Sequence, residues 1–213
     1  MPPSASALII ALTWSSLLIL TLVDRYLLKS IFLKLYPLTW VDTGGTAPPG
    51  SWLTRAGTLL VFVANLTSIG LVIFHALRPC LFPPWLQLRL PIWVNIIGVF
   101  LFSVYSMWGW LVVAFNPGYT PCYRRPAGAL LLALYGPYAL VRHPRYAAEA
   151  IMNVGFFLFT GYWLSLLGML GWRALRSQSL AEERYLLALA GRPYAAYCEK
   201  TGRFFPNCLR RKP

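Results

Sequence analysis

Carboxylates are scarce in this sequence, with six Asp and Glu against nineteen Lys and Arg in 213 residues. Charged residues together make up 12%, where a soluble chain carries about 25%. Histidine is scarcer still, at two residues, His75 and His143. The four cysteines (Cys80, Cys122, Cys198 and Cys208) include no CxxC pair. A zinc site needs three or four clustered ligands, so no metal is expected. Nor do the cysteines imply a disulfide framework, because a core buried in lipid needs no staples. Seventeen prolines and sixteen glycines are too few for a collagenous or low-complexity chain. No internal repeat is visible.

Apolar residues, in contrast, reach 58%. That content excludes global disorder and, with so little charge, calls for a lipid bilayer as the main partner. The length suits one domain or at most two small ones. A net charge of +13 would point to nucleic acid in a soluble protein. In a membrane protein it marks cytoplasmic loops and headgroup contacts, so no nucleic-acid partner is expected.

Ala5–Val23 is uncharged and long enough to span a hydrocarbon core. With no basic segment ahead of it, it reads as a first transmembrane helix rather than a signal peptide. Asp24–Pro37, with Arg25, Lys29 and Lys34 among Leu, Ile and Phe, suits an amphipathic segment at the interface. Asp42–Gly50 is a Gly- and Pro-rich loop, Gly57–Leu77 a second span, Arg78–Pro91 an irregular connection and Ile92–Phe115 a third span. Asn116–Pro126 is a basic loop, and Ala127–Leu134 a short apolar run ended by Tyr135-Gly136-Pro137-Tyr138. Ala147–Gly171 is apolar except for Glu149 and Asn153, and forms either one long span or two helices folded at Thr160-Gly161.

Charge decides between these. Five crossings with the N-terminus outside put seventeen of the nineteen cations inside and leave only Arg78 and Arg89 outside. Four crossings would put the nine cations from Arg173 onward opposite the loop carrying Arg142. In the tail, Ser179-Leu180-Ala181-Glu182 has capping-box form and predicts a helix over Leu180–Ala190. Gly191 would end it, and Pro193 would start a second short helix before Gly202. The fold class expected is an all-α, multi-pass integral membrane protein with about five transmembrane helices, the last two a helical hairpin, and short cytosolic C-terminal helices. It forms a single membrane domain, with 1–126 holding the N-terminal spans and 127–213 the hairpin and tail.

The chemistry concentrates in Arg142-His143-Pro144-Arg145-Tyr146 and Glu182-Glu183. At a membrane interface the arginines alone could snorkel to phosphates, with Pro144 merely starting a helix. A carboxylate pair at the same face, however, suits a cationic ligand such as an ammonium or a sulfonium.

GPYALVRHPRY, followed by Glu182-Glu183-Arg184, GRPYAAY and RFFP, resembles the isoprenylcysteine carboxyl methyltransferase family, grouped with the membrane phospholipid methyltransferases. The likeness covers Leu130–Pro206. It implies an integral-membrane enzyme that takes S-adenosylmethionine from the cytosolic side and a lipophilic acceptor from the bilayer. Carried over by position, the cofactor contacts would be Tyr138, Arg142, His143, Pro144, Arg145, Tyr146, Glu182 and Glu183, with Leu130, Leu131, Leu132 and Ala133 lining the pocket. Should the acceptor need a base, His143 or Glu149 would serve.

Two departures stand out. Where the eukaryotic members carry an acceptor-binding arginine four residues before the glutamate, this chain has Gln178; Arg173 and Arg176 are nearby, not equivalent, and with Gln178 are the candidate acceptor contacts. Ala148 replaces a glycine. Membrane sterol and steroid reductases, which bind a nicotinamide cofactor, share an RHPNYxGE pattern that Glu149 matches but Arg145 and Ala148 do not. The glutamate pair favours the methyltransferases over that reading and over a non-catalytic membrane protein.

Overall fold

The computed structural model describes residues 2–23, 39–44, 52–116 and 129–207, and 78% of these are helical. The segment Asp24–Pro37, most of the Asp42–Gly50 loop and nearly all of Asn116–Pro126 lie outside the described residues, as do Cys122 and Cys208.

Among the described residues, three helices are long and apolar enough to cross a membrane: α1 (Pro3–Val23), α2 (Trp52–Leu77) and α3 (Ile92–Ala114). α1 exposes Leu8, Leu12, Leu18, Ile19 and Leu22, a surface suited to lipid rather than water. α2 starts at Trp52 rather than Gly57, which places Thr54 and Arg55 on its first turn. Hydropathy marks where charge begins, not where helix begins.

The all-α expectation needs one correction. Thr39–Asp42 (β1) pairs antiparallel with Ala129–Leu132 (β2), Trp40 opposite Leu131. So short an apolar run cannot carry the cost of nucleating its own helix. A partner strand satisfies its backbone groups instead.

After one helical turn, α4 (Pro137–Leu140), α5 spans Pro144–Thr160, with Pro144 at its start where a missing N–H costs nothing. It stops at Gly161, in the left-handed region at φ 78°. The carbonyl of Leu88 lies where a Cβ of Gly161 would be, so only glycine fits. A 3-10 turn at Trp163–Leu167 leads into α6, Gly168–Lys200.

The capping box at Ser179 is therefore not a helix start. Ser179 is buried within α6, its hydroxyl donating to the Arg176 carbonyl (2.7 Å). The helix begins upstream because Gly171 and Ala174 pack against Gly57 of α2, and tertiary packing outweighs a local signature. Gly191, at φ 55°, kinks α6 just before Pro193.

The other close helix pair is α3 with α5. Gly98 abuts the backbone of Leu158 and Phe159, and Gly155 abuts that of Leu101 and Phe102. Small residues let helix backbones approach where lipid supplies no hydrophobic drive. At one end of this pair, Gln87 Nε2 donates to the Thr160 carbonyl (2.7 Å) and Leu88 N to that of Gly161 (2.9 Å). The connection after α2 thus closes over the α5–α6 turn. The opposite end carries the charged groups.

Candidate functional site

The chain following α6 holds the Val141–Tyr146 segment in place. Val141 forms a parallel bridge with Gly202, Arg142 N donates to the Gly202 carbonyl (2.8 Å), and His143 N to that of Arg203 (3.0 Å). Gly202 makes room for the turn, since a Cβ there would collide with the Phe205 carbonyl. The Arg142 side chain reaches the C-terminal end of α6, donating to the carbonyls of Cys198 (2.9 Å) and Thr201. Such terminal carbonyls lack partners within the helix.

Glu183 gathers the cations. Its Oε1 accepts from Arg142 Nε (2.9 Å) and Arg203 Nε (2.9 Å), its Oε2 from Arg203 (2.7 Å), and His143 Nε2 stands 3.2 Å from Oε1. Burial pushes this carboxyl up, but the hydrogen bonds from His143, Arg203 and Arg142 outweigh it and hold it well below the usual carboxylate range.

Glu182 is arranged differently. Tyr146 donates to its Oε1 (2.9 Å), as does Gln178 Nε2 (2.9 Å), and His143 Nδ1 lies 3.5 Å from its Oε2. His143 thus sits between the two glutamates, stacked in parallel on the Tyr146 ring with centroids 5.5 Å apart. Gln178 also accepts from Thr54 of α2 (3.0 Å). A chain of polar contacts therefore runs from α2 through α6 to α5.

These groups border a cavity of about 830 Å³. Its wall includes the β2 segment 130–133, Tyr138, all of Arg142–Tyr146, Glu149 and Glu182. Glu149 pairs with Arg145 (2.7 Å) one turn earlier on α5. Tyr194 and Tyr197 complete the wall, and burial holds both phenols well above their ordinary range. Tyr197 remains a donor and bonds the Tyr138 carbonyl (2.7 Å).

Of the expected cofactor contacts, Glu183 alone lies outside the lining; it sits behind it, with the arginines. The three expected acceptor contacts are not brought to the cavity. Arg173 and Arg176 are exposed on α6 and outside the lining, and Gln178 is 2% exposed. Sequence reasoning missed Arg55 of α2, which does line it. Its signal was available: Arg55 stands at helical spacing from Leu59 and Phe62, which line the same cavity. Among the described residues no group of three or more His, Cys, Asp or Glu is placed to hold a metal ion. No family model matches the chain, and no curated protein does.

Proposed function

We propose that this is an integral-membrane methyltransferase acting on a lipophilic acceptor with S-adenosylmethionine. The observation that carries the reading is the setting of Glu182. Its carboxylate borders a large, mainly apolar cavity, hydrogen-bonded by Tyr146 and Gln178 with His143 beside it. A carboxylate so held is matched to a cation, and S-adenosylmethionine offers a sulfonium and an ammonium.

The rest of the lining fits that molecule. Tyr138, Tyr146, Tyr194 and Tyr197 in the lining provide aromatic partners for a cation. The volume stands near the top of the roughly 300–1,000 Å³ range of ligand pockets, which leaves space for an acceptor beside the cofactor. When bound, the cofactor supplies a methyl group activated on sulfur. The protein's own share is alignment, which can contribute up to roughly 7–11 kcal/mol of a barrier. An ionised carboxylate acceptor needs no base, whereas a thiol, amine or hydroxyl would give its proton to Glu149, since both ring nitrogens of His143 face carboxylates.

In this reading the chain crosses the bilayer five times, with the N-terminus outside and the site facing the cytosol. The segregation of seventeen of nineteen cations supports that orientation. α5, at 17 residues, is about 25 Å long at ~1.5 Å per residue. It falls slightly short of a hydrocarbon core of about 30 Å, a mismatch that local thinning accommodates. α6 returns from Gly168 as the second arm of the hairpin. The Glu182 carboxylate at the cavity wall favours this enzyme class over a nicotinamide-dependent reductase.

Calorimetry on the detergent-solubilised protein tests the assignment. S-adenosylhomocysteine is expected to bind in the micromolar range, about −8 kcal/mol, and Glu182→Gln to weaken it at least ~10-fold. Heat with reduced nicotinamide dinucleotide phosphate and none with S-adenosylhomocysteine would replace this function with the reductase.

A further inference from the structure

The cavity extends beyond the Glu182 region along α1 and α2, and this arm has chemistry of its own. Arg55, Leu59, Phe62, Leu66 and Ile69 all line it. Their steps of three and four residues define one face of α2. At ~1.5 Å per residue this stripe is about 21 Å long, more than the ~15 Å that one leaflet contributes to a hydrocarbon core of about 30 Å. The stripe opens with a cation and continues with large apolar side chains, Thr58 and Asn65 being its polar neighbours in the lining. Trp14 of α1 lines the same cavity.

Among the described residues the Arg55 cation is uncommitted. Among the described residues, three arginines line the cavity. Arg142 is bound to Glu183 and to carbonyls at the end of α6, and Arg145 is paired with Glu149. Arg55 has no carboxylate within ion-pair distance among the described residues. Gln178 of α6 has its amide engaged by Thr54 and Glu182. Thr54 directly precedes Arg55, so Arg55 stands on the first turn of α2 beside that contact. An unpaired cation at the membrane boundary is stabilised by an anion, and the apolar stripe below it accepts a hydrocarbon chain.

We infer that Arg55 anchors the anionic head group, carboxylate or phosphate, of a single-chain amphiphile whose chain lies along Leu59, Phe62, Leu66 and Ile69. Naming this ligand the acceptor rests on the methyltransferase reading, but its binding does not require the cofactor.

Tryptophan fluorescence follows binding, because Trp14 lies in the arm. The purified full chain in non-ionic detergent is titrated with hexadecanoate, hexadecyl phosphate and uncharged 1-hexadecanol. At least one anion is expected to bind about 10- to 150-fold more tightly than the alcohol, as a charge-assisted hydrogen bond provides. The tighter anion identifies the head group. Arg55→Gln should abolish the preference, Arg55→Lys retain part of it, and Arg78→Gln, beyond the far end of α2, leave it intact. S-adenosylhomocysteine affinity, measured on the same variants, reports both folding and the cofactor site. An Arg55-dependent preference without S-adenosylhomocysteine binding would uphold the lipid site and end the methyltransferase reading. Intact S-adenosylhomocysteine binding with no anion preference, or with one that survives Arg55→Gln, would overturn the inference.

Discussion

At the residue scale, Glu183 holds two guanidinium groups and the His143 ring on one buried carboxylate. Its carboxyl titrates lower in the folded chain than in the unfolded one. The resulting stability is fully present above the unfolded value of about 4.3 and is lost as pH falls toward the lower folded value. Thermal unfolding in detergent should therefore be insensitive to Glu183 near neutrality and fall on acidification below that range. Glu183→Gln should flatten this acid limb. It should also lower stability at neutral pH by roughly 3–5 kcal/mol, because removing one partner leaves buried charges uncompensated. An unchanged acid limb in the variant would show that another carboxylate governs it. Arg142, His143 and both glutamates were legible in the sequence because such groups are costly beside apolar helices. Gln178 was not, since the partner that explains it, Thr54, lies 124 residues away.

At the scale of elements, glycine sets the helix pairs. A Cβ on Gly98 would strike the α5 backbone, whereas one on Gly70 meets nothing within 4 Å. Gly98→Ala is expected to force α3 from α5 and destabilise by about 1–3 kcal/mol. Gly70→Ala should be neutral, or stabilise by up to roughly 0.5–1 kcal/mol through lost backbone freedom. Melting temperatures of the two variants check both, and equal shifts would refute this packing. The three long helices were legible from hydropathy because length and apolar content suffice for them. The β1–β2 pair was not, because four apolar residues carry no period that separates strand from helix. The start of α6 was misplaced for a related reason: Ser179 and Glu182 fit a capping box, yet contacts with Gly57 extend the helix upstream.

At the scale of the whole molecule, orientation is the property most open to measurement. Cys80 is exposed in the connection after α2, and Cys198 lies near the end of α6. With five crossings they face opposite sides. A membrane-impermeant maleimide on right-side-out vesicles should label Cys80 and spare Cys198. Burial pushes the Cys198 thiol up, which slows thiolate chemistry, so solubilised protein supplies the positive control. Labelling of Cys198 from outside would reverse the topology.

The docking of Gly202 and Arg203 onto Arg142 and His143 also bears on how the protein is made. Translation runs from the N-terminus, so α1 to α5 emerge from the ribosome before the segment that secures His143. A nascent chain stalled within α6 holds Glu182 and Glu183 without the backbone clamp that aligns them with His143. The backbone contacts that hold Arg142 and His143 therefore form only after residues 202 and 203 have been synthesised, later than both glutamates and every helix before them.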